Sequence, residues 1–202
     1  MRVGLDFDNT IVCYDNAIAT LSEVLFNLPT EVPRTKLGLR NFLREADREP
    51  EWTAFQGELY GPGMRYAQPF EGAIETMLNL TSAGHELVIV SHRSRLPYAG
   101  YPHDLHAAAQ NWVEERLHSH GLFTKNKDGV SFRETLQQKV ARIAELGCQA
   151  FIDDLPEVLK ARDFPNNTTR ILFDPSGTVP SAEWGLRISS WGELPSLLIE
   201  FA

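Results

Sequence analysis

Cysteine is scarce: only Cys13 and Cys148 occur in 202 residues, far apart in the chain. Their separation excludes a disulfide framework and any cysteine metal ribbon, so each reads as a small apolar core residue in a reducing compartment. Basic charge is also in short supply, with 19 Lys plus Arg against 27 Asp plus Glu and a formal net charge of -8. That balance argues against a nucleic-acid polymer or an anionic membrane surface as partner, and any bound anion must be met by a local cluster or a metal. No apolar run reaches membrane-spanning length and no apolar signal core precedes the first strand-like run, so the expected location is the cytoplasm. Nucleotide-loop signatures are missing as well. There is no G-x-x-x-x-G-K-[ST], and Gly61-Pro62-Gly63 fails to complete a G-x-G-x-x-G because Tyr66 stands at its end. Internal repeats and low-complexity segments are likewise absent.

What is present is an ordinary globular composition, 43% hydrophobic and 23% charged, sufficient for one sizeable core and a small insertion. Five short apolar runs read as strands: Val3 to Phe7, Leu87 to Ser91, Val130 to Phe132, Ala150 to Ile152 and Arg170 to Phe173. Amphipathic segments of helix length lie between most of them, over Ala73 to Ala83, Asp104 to His120 and Thr135 to Leu146, each followed by a glycine. Buried strands alternating with helices predict an α/β fold with a doubly wound, Rossmann-like parallel sheet. One connection is too long for that pattern. Between the first strand and the helix near Phe70 lie three helix-like pieces, Asp15 to Phe26, Thr35 to Ala46 and Pro50 to Tyr60, and then glycine and proline suited to a hinge. The expected division is a core of residues 1–14 and 69–202 and a helical insertion of residues 15–68.

The chemistry concentrates at strand ends. Asp6-Phe7-Asp8-Asn9-Thr10 closes the first strand, and alternation in a strand turns Asp6 and Asp8 to the same side. In open parallel sheets ligands bind beyond the carboxyl ends of the strands, which is where this turn lies. Two carboxylates about 4 Å apart repel by roughly 4 kcal/mol at an effective dielectric near 20, so a cation or a shared proton must hold them. A second acidic pair, Asp153-Asp154, ends another strand, and carboxylates from two strands around one ion suit Mg²⁺ and phosphate chemistry. Asp154 also suits the cap of a helix starting at Pro156. Ser91-His92-Arg93-Ser94-Arg95 follows the second strand, where a hydroxyl, backbone amides and basic groups can hold phosphoryl oxygens. A solvated loop is the alternative reading for Arg93 and Arg95. Lys139 sits near a helix N-terminus, where the macrodipole disfavours a cation, and Lys125 and Lys127 compete with it as the phosphate-binding lysine.

Asp6-x-Asp8-x-Thr10, Ser91, Lys139 and Asp153-Asp154, in that order and on those elements, resemble the four motifs of the haloacid dehalogenase (HAD) superfamily. The resemblance implies a Mg²⁺-dependent phosphatase acting on a small-molecule phosphate ester. Asp6 would be the nucleophile and Asp8 the acid and base, with Ser91, His92 and Lys139 on the phosphate. The metal would lie on the Asp6 carboxylate, the Asp8 carbonyl and Asp153, with Thr10 and Asp154 in support and Arg93 and Arg95 available to substrate. Dehalogenase members lack the second aspartate, so Asp8 favours phosphoryl transfer. The resemblance also implies that residues 15–68 are a cap over the site, where Arg40, Arg44, Trp52, Arg65 and Tyr66 are available to contact substrate, although an ordinary solvated helix surface is the favoured reading for each; the loop Leu96 to His103 is a second candidate wall. A phosphotransferase on the same core, or a receiver-like module that accepts phosphate without turnover, are the alternatives. His103 and His106 lack further ligands for zinc.

Overall fold

The computed structural model describes residues 1–26, 28–124, 129–180 and 186–199. Its strands are β1 (Arg2–Leu5), β2 (Val12–Cys13), β3 (Gln68–Pro69), β4 (Glu86–His92), β5 (Val130–Arg133), β6 (Ala150–Asp153), β7 (Thr169–Phe173) and β8 (Leu186–Ile188). The helices are α1 (Asp15–Leu25), α2 (Lys36–Glu45), α3 (Glu49–Tyr60), α4 (Ala73–Ser82), α5 (Leu105–Arg116), α6 (Leu136–Glu145), α7 (Pro156–Leu159) and α8 (Leu194–Ile199). Every expected strand and helix is found, with ends shifted by a few residues. The three shortest strands, β2, β3 and β8, have no periodicity to announce them.

The chain forms two units, one of residues 1–12, 69–93 and 117–202 and the other of residues 13–68 and 94–116. The first contains a six-stranded sheet in the order β5-β4-β1-β6-β7-β8. All its pairings are parallel. Chain order reverses on either side of β1, so the crevice for a ligand falls at the carboxyl ends of β4, β1 and β6. Gly4 pairs in register with Val88 on one side and Phe151 on the other. These residues therefore share a face, and Val88, Phe151, Val140 and Ile143 of α6, and Val158 and Leu159 of α7 form one buried cluster there. The alternation carries Asp6 and Asp153, each two residues further along, toward the same α6 side.

The second unit is helical. α2 starts at Thr35, whose hydroxyl accepts from the Gly38 N–H at 3.1 Å, and α3 begins with Pro50 in its first turn and Glu49 and Glu51 at its positive end. Ile18, Leu39, Leu43, Phe55 and Leu59 are fully buried within it. Residues 94–116 were expected in the core but belong to this unit. The reason is side-chain anchoring: Trp112 Nε1 donates to the Ala67 carbonyl at 3.1 Å, Arg116 to the Arg65 carbonyl at 3.2 Å, and His103 meets Glu58 at 3.0 Å. No described helix is long and apolar enough to cross a membrane.

Gly4 is required by packing. A Cβ built there would stand 2.4 Å from the Phe151 ring and 3.0 Å from Cys148 Sγ. Gly4→Ala is expected to lower unfolding free energy by about 1–3 kcal/mol, read from the denaturation midpoint; an unchanged midpoint would contradict the packing of this layer.

Candidate functional site

The first β-strand stops at Leu5, but the Asp6 amide still donates to the Ile152 carbonyl at 2.9 Å, which fixes Asp6 beside the end of β6. The chain then coils into a tight turn. The amides of Ile11 and Val12 both donate to the Phe7 carbonyl, at 3.1 and 2.9 Å, and Asn9 takes a left-handed conformation with φ 57°. Asparagine is among the few non-glycine residues that tolerate this region. The expectation that Asp6 and Asp8 form one lip by strand alternation is therefore corrected: the strand has ended, and each aspartate faces its own cation.

For Asp6 that cation is Lys139, on the first turns of α6. The Thr135 hydroxyl caps this helix, accepting from the Gln138 amide at 3.2 Å. Lys139 is fully buried, and its Nζ lies 2.5 Å from Asp6 Oδ1 and 2.6 Å from Asp153 Oδ2. Burial opposes its charge, yet Asp153 and Asp6 outweigh that and hold the ammonium above the usual lysine range. Burial pushes the Asp153 carboxyl up, to about 7, against the pull of Lys139, and Asp6 adds to the rise. His92, at the end of β4, is held below the usual imidazole range by burial and then by Lys139. The competing Lys125 and Lys127 lie outside the described residues.

For Asp8 the cation is Arg93. Its guanidinium donates to Asp8 Oδ1 at 3.2 Å and lies 5.7 Å from the Phe7 ring centroid. The Arg93 side chain is only 6% exposed, and its amide donates to the Arg133 carbonyl at 2.7 Å. The solvated-loop reading is thus corrected for Arg93. Arg95 differs: it lies in the second unit, 65% exposed, and pairs with Asp104 at 3.0 Å. Ser91 is buried inside β4, opposite Phe132 of β5.

Asp153 ends β6 and accepts from the Leu155 amide at 2.9 Å. Asp154 does not cap the following helix, whose N-cap position is Leu155. Instead, carboxylate oxygens of Asp6, Asp153 and Asp154 lie within 4.8 Å of one another. The donors are all hard carboxylate oxygens, three carboxyl groups against one buried ammonium, a set that fits Mg²⁺. The Asp8 side chain is not in this group. Thr10 was expected to support the turn through its side chain, but its hydroxyl is buried with no hydrogen-bond partner among the described residues. The Thr10 carbonyl is what is held, accepting from Trp191 Nε1 at 3.1 Å.

No protein-family model and no curated protein sequence matches the chain. Solved structures do. The HAD hydrolase YfnB of Bacillus subtilis, bound to magnesium, is similar with TM-score 0.61 and 16% identity, over 98% of this chain and 97% of that one. A HAD family hydrolase of Deinococcus radiodurans with bound phosphate and sodium gives 0.56 and 18%, over 98% and 95%. A dehalogenase gives 0.54 and 15%, over 97% and 96%. The chain has the fold of the HAD hydrolases. Within this fold Asp6, Lys139 and Asp153 come together at one sheet edge, and Asp154 stands beside them. Asp154 as a direct member of the acidic group and the pairing of Arg93 with Asp8 were not readable beforehand, since both depend on where distant strands end.

Replacing Lys139 with methionine leaves Asp6 and Asp153 buried without their cation. Lys139→Met is expected to destabilise the protein by about 3–5 kcal/mol in EDTA, and by less in excess Mg²⁺. Denaturant titration under both conditions checks this; equal losses would argue against a divalent-cation site at these carboxylates.

Proposed function

We propose that this chain is a Mg²⁺-dependent phosphatase that hydrolyses a small phosphorylated metabolite through an aspartyl-phosphate intermediate on Asp6. The observation that carries the reading is the Lys139 ammonium lying between Asp6 and Asp153, with Asp8 held apart on Arg93. Asp6, Asp153 and Asp154 would hold the metal, which supplies positive charge to draw a phosphate dianion toward a carboxylate that would otherwise repel it.

The chain's own groups divide the remaining work. Lys139 orients Asp6 and offsets charge as the carboxylate oxygen forms its bond to phosphorus, and a buried, preorganised cation acts there without reorganisation cost. Asp8 delivers a proton to the departing ester oxygen as the P–O bond breaks, then takes one from the water that opens the acyl phosphate. Arg93 sets the orientation of the Asp8 carboxylate. Ser91 and His92, at the β4 end, supply polar groups for the phosphoryl oxygens. Two cysteines without a disulfide partner support a reducing, cytoplasmic setting. Phosphotransfer to an acceptor other than water would use the same groups.

A receiver-like module is the second reading, favoured by the same carboxylates, hydroxyl and lysine on a parallel sheet. Against it stands Asp8, an additional carboxylate positioned on its own arginine.

With p-nitrophenyl phosphate or acetyl phosphate as probe, phosphate release is expected with Mg²⁺ and not with EDTA. Asp6→Asn should lower turnover by about 10³-fold or more while circular dichroism stays native. A long-lived stoichiometric phosphoprotein without release would support the receiver reading, and near-native turnover by Asp6→Asn would remove the nucleophile.

A further inference from the structure

We infer that Trp191 is a positioning residue for this site: its indole N–H holds the turn that carries Asp8. The proposal rests on the phosphatase reading for its catalytic consequence and on independent geometry for its mechanism.

The turn after β1 is awkwardly built. Asn9 is left-handed, the Thr10 hydroxyl is buried without a partner among the described residues, and one carbonyl, that of Phe7, serves two amides. Backbone in such a state persists when its surroundings over-determine it. Two outside groups do so. The Phe70 amide donates to the Ile11 carbonyl at 2.9 Å, and Trp191 Nε1 donates to the Thr10 carbonyl at 3.1 Å across 181 residues.

Trp191 is itself firmly placed. It is 1% exposed, and its ring centroid lies 6.1 Å from that of Phe173. Its own carbonyl accepts from the buried Thr76 hydroxyl of α4 at 3.1 Å. It opens a short 3-10 turn fixed by a capping box, in which the Ser190 hydroxyl accepts from the Glu193 amide and the Ser190 amide donates to Glu193 Oε1 at 3.1 Å. The indole thus transmits the rigidity of the sheet's far end to a carbonyl two residues past Asp8. A phenylalanine there would keep much of the packing and lose the donor.

The test compares wild type with Trp191→Phe in the intact chain. Using p-nitrophenyl phosphate with Mg²⁺, kcat should fall about 10- to 100-fold with KM changed less than about twofold, because the turn carries the acid and base. Leu80→Ala, a buried α4 change away from the turn, controls for stability loss and should leave kcat near wild type. Hydrogen exchange provides the readout without turnover: the peptide spanning residues 6–12 should exchange faster in Trp191→Phe, with the strands of the sheet unchanged. Wild-type kcat in Trp191→Phe, or unchanged exchange over residues 6–12, would overturn the proposal. If wild type released no phosphate at all, the phosphatase reading would fail by itself, and the exchange measurement would still decide whether Trp191 holds the turn.

Discussion

The buried ammonium of Lys139 is the interaction on which the rest of the site depends. Two carboxylates at the ends of adjacent parallel strands repel, and neither can be solvated where Asp6 and Asp153 lie, 3% and 0% exposed. An ion pair this deep is weak evidence for net stability, since desolvation offsets most of the attraction, but loss of one partner leaves an uncompensated charge. The arrangement is better understood as poise. One cation between two carboxylates, with Asp154 beside them, leaves a surplus of acidic oxygens of the kind a divalent ion can neutralise, and in the proposed mechanism the lysine would direct Asp6 at the phosphoryl group.

That arrangement follows from packing under the sheet. Gly4 has no side chain, which leaves room for the Phe151 ring against β1, and the Lys139 ammonium lies 5.6 Å from the centroid of that ring. The capped start of α6 sets the height of Lys139, and Val140 and Ile143 bind the helix to the face that Asp6 and Asp153 share. A cation disfavoured near a helix N-terminus is retained there because two anions meet it. The turn that bears Asp8 is governed separately, by Arg93 from the end of β4 and by the C-terminal segment through Trp191. Asp6 and Asp8 are thus oriented by different parts of one unit, each through its own cation.

Much of this was legible in advance. Apolar runs of three to five residues with helices between them gave the parallel sheet, residue types at strand ends drew attention to Asp6, Ser91 and Asp153, and a cation near a helix N-terminus drew it to Lys139. Strand alternation was carried past Leu5 to Asp8, but the strand ends there and the turn redirects the side chain. The helix after Asp154 begins at Pro156 as expected, but its N-cap position is therefore Leu155, and Asp154 stands with Asp6 and Asp153. Residues 94–116 were placed in the core because they follow the second strand in the chain, and the contacts of Trp112, Arg116 and His103 assign them to the other unit.

Local periodicity and the order of polar residues at strand ends determined the fold class and pointed to the sheet edge and the residues on which the proposed function rests. These depend on near neighbours in the chain and on the two-residue repeat of a strand. Tertiary structure decided which cation meets which aspartate, that Asp154 stands with Asp6 and Asp153, and that a tryptophan near the end of the chain grips the turn near its beginning. Each of these is a contact between residues many positions apart, and its geometry is set by the register and packing of the strands and helices between them.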